Sequence, residues 1–362
     1  MMRRAILSFC LFPLFATAAP AAAPVASATA AAGLEAAVTQ HLGADFSGVV
    51  LVRSAPGAAP LIRAYGMGNV EKNQRIVADT PFQIGSITKW LSAVAVLRLV
   101  DQGKLALDAP LKIYLPDMPA HIGAITLRQL LSNSAGIPNG VMQEFKKDKS
   151  IADLRLSHLD AARRYAGGTL LFEPGAGWEY SPTTWVVVAA IVEQASGKPF
   201  AQALDELVLR PALATSTAVP PQPFKDMPGA ALAYKAGPTR ELNMSPHIVY
   251  VAASGTVHST AHDLLKLADA VYESPLLSAG ARAELARVMV PAQNYALGGR
   301  VIKMQLGGRE RVLGWQTGST GGYKSLLAHV PGEGRTVVIL NNTSMDQTAL
   351  STAAEAMLKA MY

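Results

Sequence analysis

The stretch Phe82–Pro119, "FQIGSITKWLSAVAVLRLVDQGKLALDAPLKIYLPDMP", leads into a long apolar helix pattern that Gly103 stops. Ser86 stands at the start of that pattern and Lys89 follows three residues later. Residues i and i+3 share a helix face, so the Lys89 amine can reach the Ser86 hydroxyl. A serine hydroxyl is a weak nucleophile at neutral pH and needs an adjacent base; a lysine serves when burial or a neighbouring cation favours its neutral form. The helix N-terminus adds free N–H groups and a positive dipole end, which favour negative charge on the serine or on the carbonyl it attacks. By itself the tetrapeptide is a weak signal, because a serine N-cap on an ordinary helix has the same letters.

Outward from this stretch, "GLEAAVTQHLG" reads as a helix, and "FSGVVLVRS" and "APLIRAYGMGNVE" read as two strands of a hairpin. The middle of the chain, about Thr126 to Met244, is helical in pattern and punctuated by proline, as in "SIADLRLSHLDAARRYAGG" and "SPTTWVVVAAIVEQASGK". Strand patterns return in "GRVIKMQL", "RERVLGWQT", "KSLLAHVP" and "RTVVILNNT", and a helix closes the chain from about Thr348 to Met361. This order predicts an α/β chain of the α+β type: an antiparallel sheet built from both chain ends, flanked by helices, with a mostly helical inserted lobe. The expected lobes are 34–125 plus 245–362 for the sheet and 126–244 for the helices, together forming one domain. With 50% hydrophobic and 16% charged residues, the chain can bury a core of that size.

Five blocks in order resemble the serine β-lactamase and penicillin-binding protein superfamily, especially the class C β-lactamases with related esterases and D-amino-acid peptidases. They are the opening stretch, "LLSNSAGIP" (130–138), "EPGAGWEYSPTTWVVVAAIVEQASGKPF" (173–200), "SGTVHSTAHDLLKLA" (254–268) and "GWQTGSTGGYKSLLAHVPGEGRTVVILNN" (314–342). The resemblance implies a beta-lactamase/transpeptidase-like fold and a serine hydrolase that works through an acyl-enzyme. It implies Ser86 as nucleophile, Lys89 as its amine partner and Tyr180 as the second base. It also implies an oxyanion hole from the backbone N–H groups of Ser86 and Ser319, and a substrate wall of Gln316, Thr317 and Gly318. Two positions depart from the family pattern. Pro182 stands where Tyr-x-Asn would place an amide, and Gln316 where a lysine or histidine would begin the wall. Both departures affect recognition, and together they shift the expected substrate toward an ester, or an amide without the β-lactam-type carboxylate. The other readings are a β-lactamase or D-alanyl-D-alanine carboxypeptidase, and a binding protein that kept the fold without turnover.

The N-terminus places Arg3 and Arg4 before an apolar run and then small residues, the layout of a secretory signal, with cleavage expected after Ala18. Residues 19–33 read as an Ala/Pro-rich leader. Removal of the signal would take away Cys10, the single cysteine, and lower the formal charge from +6 to +4, a pattern that suits a periplasmic or secreted protein without disulfides. The apolar run is short for a membrane span and contains Pro13, so no stable span is expected after cleavage. The basic cluster "FKKDKS" at Phe145–Ser150 reads as a solvated loop, which leaves no nucleic-acid partner. "HSTAH" spaces His258 and His262 four apart but lacks the glutamate of a zinc helix, so no metal and no cofactor are expected. The expected partner is a small-molecule or peptide-like acyl substrate.

Overall fold

The computed structural model describes residues 28–237 and 239–362. The signal expected at 1–18 and most of the leader therefore lie outside the described residues. A helix, α1 (Ala28–Leu42), begins inside the stretch read as leader, which ends that segment at 27. Alanine has the highest helix propensity, and the run "ATAAA" continues the helical pattern of "GLEAAV" backward.

Six strands form one antiparallel sheet: β1 (Gly48–Arg53), β2 (Leu61–Tyr65), β3 (Arg300–Leu306), β4 (Arg309–Thr320), β5 (Tyr323–Val330) and β6 (Arg335–Asn341), in the order β2-β1-β6-β5-β4-β3. The two chain ends join at the β1–β6 pair, whose register runs from Gly48 opposite Asn341 to Arg53 opposite Thr336. Gly48 is required there, since a Cβ would lie 1.9 Å from the Leu340 carbonyl oxygen. Both central strands read as unbroken apolar runs because both sheet faces are covered. Val49, Leu51, Val338 and Leu340 point into the larger core, while Val50, Val337 and Ile339 point into a second one.

That second core is closed by α1 and by the C-terminal helix α6 (Gln347–Lys359), through Leu34, Val38, Leu350 and Met357. On the other face lie α2 (Ile87–Asp101) and α5 (Ala261–Tyr272), backed by the helical lobe with α3 (His158–Ala166) and α4 (Pro182–Ser196). α2 is buried from Ile87 through Leu97, which explains why its sequence is apolar all round. It ends at Gly103, whose φ of +70° lets its N–H turn back to the Val100 carbonyl. The helical pattern of 150–168 is interrupted. A 3-10 turn, Lys149–Asp153, precedes α3, and the Ser157 hydroxyl caps α3 by accepting from the Asp160 N–H at 3.0 Å.

β4 runs three residues beyond its expected end, through Gly318, Ser319 and Thr320. Its partner β3 stops opposite Trp315, so the far end of β4 has β5 on one side and the N-terminus of α2 on the other. Among the described residues no helix is long and apolar enough to cross a membrane.

Candidate active site

Ser86 has helical backbone angles (φ −67°, ψ −5°), and its hydroxyl makes no capping bond to α2. Instead the Lys89 amine nitrogen lies 3.2 Å from Ser86 Oγ and donates to the Ser254 carbonyl oxygen at 2.6 Å. Lys89 is 2% exposed, so it is held by these contacts rather than by solvent. The segment carrying Ser254 is fastened to α2 one turn further on, where Ser92 Oγ lies 2.9 Å from the carbonyl oxygens of both Thr88 and Ala253 and shares its one proton between them. The same pattern of apolar letters that makes α2 a core helix therefore also fixes the amine.

Tyr180 is brought in by the loop before α4. Asn133, in the left-handed region at φ +55°, accepts the Glu179 N–H on its carbonyl at 2.9 Å and the Trp185 indole N–H on its side-chain oxygen at 3.0 Å. Asparagine is among the few residues that adopt this conformation readily. The Tyr180 ring packs beside Trp178 and Tyr295, and its centroid is 4.7 Å from the Lys89 amine. Ser181 caps α4 by accepting from the Thr183 N–H at 3.1 Å, and Pro182 occupies the first helical turn, where a missing N–H is harmless.

The end of β4 approaches Ser86 backbone to backbone. Gly85, at φ +52°, is so close that a Cβ there would stand 2.6 Å from the Ser319 nitrogen, and a Cβ on Gly318 would stand 1.9 Å from the Ile84 carbonyl oxygen. Ser325 Oγ donates to that same carbonyl at 2.7 Å and pins the approach.

Ser86, Lys89, Tyr180, Pro182 and Ser319 line one cleft of about 300 Å³. Met142, Phe145, Ile248 and Val251 give it apolar walls, and Gln83, Ser245, Thr256 and Thr320 add uncharged polar ones. Lys89 is the one charged side chain lining it among the described residues. A second cation stands at its edge, where Lys324 donates to the Ser319 hydroxyl at 2.6 Å.

Gln316, Thr317 and Gly318, the expected substrate wall, are not among the residues lining this cleft. Gln316 is 4% exposed; its amide nitrogen lies 3.4 Å from both the Tyr272 hydroxyl and the Arg300 carbonyl, and its carbonyl end rests on Gly299. Burial pushes Tyr272 up to about 12, so its hydroxyl stays neutral beside that amide. Met142 and Phe145, not singled out from the sequence, sit on the helix Gly140–Lys147, so the start of "FKKDKS" is helical rather than the loop expected, and its lysines hid Phe145. Their spacing of three along a helix was the available signal. His262 pairs with Asp79 at 2.7 Å, and His258 is buried elsewhere, against Phe224.

A family model described as Beta-lactamase matches residues 34–361. An esterase, EstB, of Burkholderia gladioli is 31% identical over 71% of this chain and 74% of its own length. The D-alanyl-D-alanine-carboxypeptidase/endopeptidase AmpH of Escherichia coli K12 is 25% identical over 91% of this chain and 89% of its own. Among solved structures, a penicillin binding protein from Bacillus halodurans superposes with a TM-score of 0.77 at 24% identity, covering 90% of this chain and 98% of that one, a likeness of fold.

Proposed function

The chain belongs to the beta-lactamase family and is a serine hydrolase, and from that premise we propose that it cleaves neutral acyl substrates through an acyl-enzyme on Ser86. The observation that carries this reading is the Lys89 amine 3.2 Å from Ser86 Oγ, in a cleft with no other charged side chain among its lining residues. In the proposed mechanism Lys89 takes the Ser86 proton as Oγ attacks the acyl carbonyl. The oxyanion is held by the N–H groups of Ser86 and Ser319. Tyr180 relays the proton to the departing alcohol or amine. A water then attacks the acyl-enzyme and releases the acid and free Ser86.

An ester, or an amide without a nearby carboxylate, fits this lining best. Apolar walls at Met142, Phe145, Ile248 and Val251 suit an acyl chain, and Pro182 offers no amide to a peptide-like substrate. A second reading, cleavage of a β-lactam or D-alanyl-D-alanine peptide, is favoured by one observation, the Lys324 cation on the Ser319 hydroxyl. The layout of the first 18 residues supports export to the periplasm as part of the proposal.

Side-by-side turnover of a p-nitrophenyl butanoate ester, a chromogenic cephalosporin and a D-Ala-D-Ala peptide separates the readings. The ester should be turned over fastest, and Lys324→Gln should leave its rate within about threefold. Faster turnover of either carboxylate substrate, lost in Lys324→Gln, would establish the second reading instead. A folded protein whose Ser86 takes no fluorophosphonate label would refute both.

A further inference from the structure

We propose that Gln83, positioned by His258 behind it, forms a polar subsite of the cleft that receives a neutral hydrogen-bond acceptor of the substrate, a carbonyl or ether oxygen. The inference deepens the proposed ester cleavage and rests on it.

The two residues face each other across a two-residue antiparallel ladder, Phe82–Gln83 with His258–Ser259, and directly opposed residues present their side chains on the same side. Both are more than nine-tenths buried, Gln83 at 7% and His258 at 6% exposed. Gln83 Oε1 and His258 Nδ1 are each buried without a hydrogen-bond partner. Leaving one such group unsatisfied is unfavourable, and here two stand on the same side of one cross-strand pair.

Their chemistries complement each other. His258 packs its ring against Phe224, with centroids 5.5 Å apart, and burial pushes it down to about 4, so the imidazole is neutral at pH 7. A neutral imidazole carries one N–H and one acceptor nitrogen. The two atoms make no direct hydrogen bond to each other; with the proton on Nδ1, His258 reaches Gln83 Oε1 through one bridging water. That contact holds the carbonyl end of the Gln83 amide inward and leaves its NH2 end toward the cleft that Gln83 lines. Gln83 comes three residues before Ser86, on the strand that leads into it. The amide that Pro182 lacks on one wall is thus supplied from another part of the chain. An uncharged NH2 selects an oxygen acceptor without requiring an anion.

The test compares ester pairs that differ by CH2 against O: p-nitrophenyl butanoate with methoxyacetate, p-nitrophenyl pentanoate with 3-methoxypropanoate, and butyl with 2-methoxyethyl acetate. Within each pair the ratio of kcat/KM, variant against wild type, cancels intrinsic reactivity. In Gln83→Leu, and in Gln83→Glu, which keeps the shape but lacks the NH2, at least one ether-to-methylene ratio should fall about tenfold, mainly through KM. His258→Phe keeps the stacking on Phe224 and should lower the same ratio. Ratios within twofold for all pairs in every variant would overturn the subsite. A second readout does not depend on turnover: the His258 Nδ1–H resonance in 15N-resolved NMR should move or vanish in Gln83→Leu. An unchanged resonance would overturn the coupling. Absence of ester turnover in the wild type would sink the proposed function, and the NMR result would still decide the His258–Gln83 contact.

Discussion

Replacing Gly85 with alanine should cut kcat by about a hundredfold without removing any of the three side chains at the reaction centre. The new Cβ would lie 2.6 Å from the Ser319 nitrogen and 3.0 Å from its carbonyl carbon, and both are backbone atoms that cannot rotate away. Ordinary contact at about 3.4 Å requires β4 and Gly85 to separate by about 0.8 Å. A hydrogen bond of about 2.9 Å stretched by that amount is no longer one. Loss of one oxyanion donor typically lowers kcat by about 10²–10³. Alanine at φ +52° adds about 1–2 kcal/mol of backbone strain. Gly103→Ala isolates that strain: it has φ +70° with nothing within 4 Å of a Cβ, and should lose stability while keeping kcat. Initial rates on p-nitrophenyl butanoate and urea denaturation of both variants make the comparison. A Gly85→Ala enzyme that is folded and within threefold of wild-type kcat would refute the role of the Ser319 amide.

Trp185→Phe removes the indole donor from Asn133 and leaves a buried acceptor unpaired, so stability should fall by about 1–3 kcal/mol in urea denaturation. Because Asn133 also holds the Glu179 N–H, kcat should drop several-fold; an unchanged kcat would separate Asn133 from the placement of Tyr180. Burial pushes His258 down to about 4, whereas an unfolded histidine titrates near 6.5. Between those values the unfolded chain binds a proton that the folded chain refuses, so stability declines as pH falls from about 6.5 to 4. The contribution reaches about 3 kcal/mol at 1.36 kcal/mol per unit. His329, whose imidazole is also lowered by burial, adds a loss of the same sign. His258→Phe should lessen the decline, measured as unfolding free energy at pH 7 and pH 4.5. An equal decline in both proteins would show that the His258 side chain is not the group titrating.

What was legible in the sequence depended on how local the determining physics is. The meeting of Ser86 and Lys89 follows from helix geometry alone, and the structure places them together as i and i+3 require. The closure of β1 on β6 was readable because two runs of β-branched residues at opposite ends both demand burial on two faces. The face taken by Gln316 was not readable in the same way. Alternation along a strand tells which residues point together, but not which side holds the cleft and which holds Tyr272. Met142 and Phe145 were masked by neighbouring lysines that turn to solvent from the same short helix. The Gln83–His258 pair leaves no local trace at all, since the ladder that joins them is two residues long and its halves are far apart in the chain.

The pairing of Gly48–Arg53 with Arg335–Asn341 also dictates a timetable. During synthesis β1 emerges early but has no central neighbour until almost the whole chain has followed, and the second core lacks its lid until the residues of α6 arrive. Non-local pairing of this kind makes folding slow and leaves strand edges exposed meanwhile. Ser319 on β4, the proposed oxyanion donor, gains its place only within that finished sheet. A growing or truncated chain can therefore form the helix that carries Ser86 and Lys89 while still lacking the proposed site, so on this reading the serine is armed last.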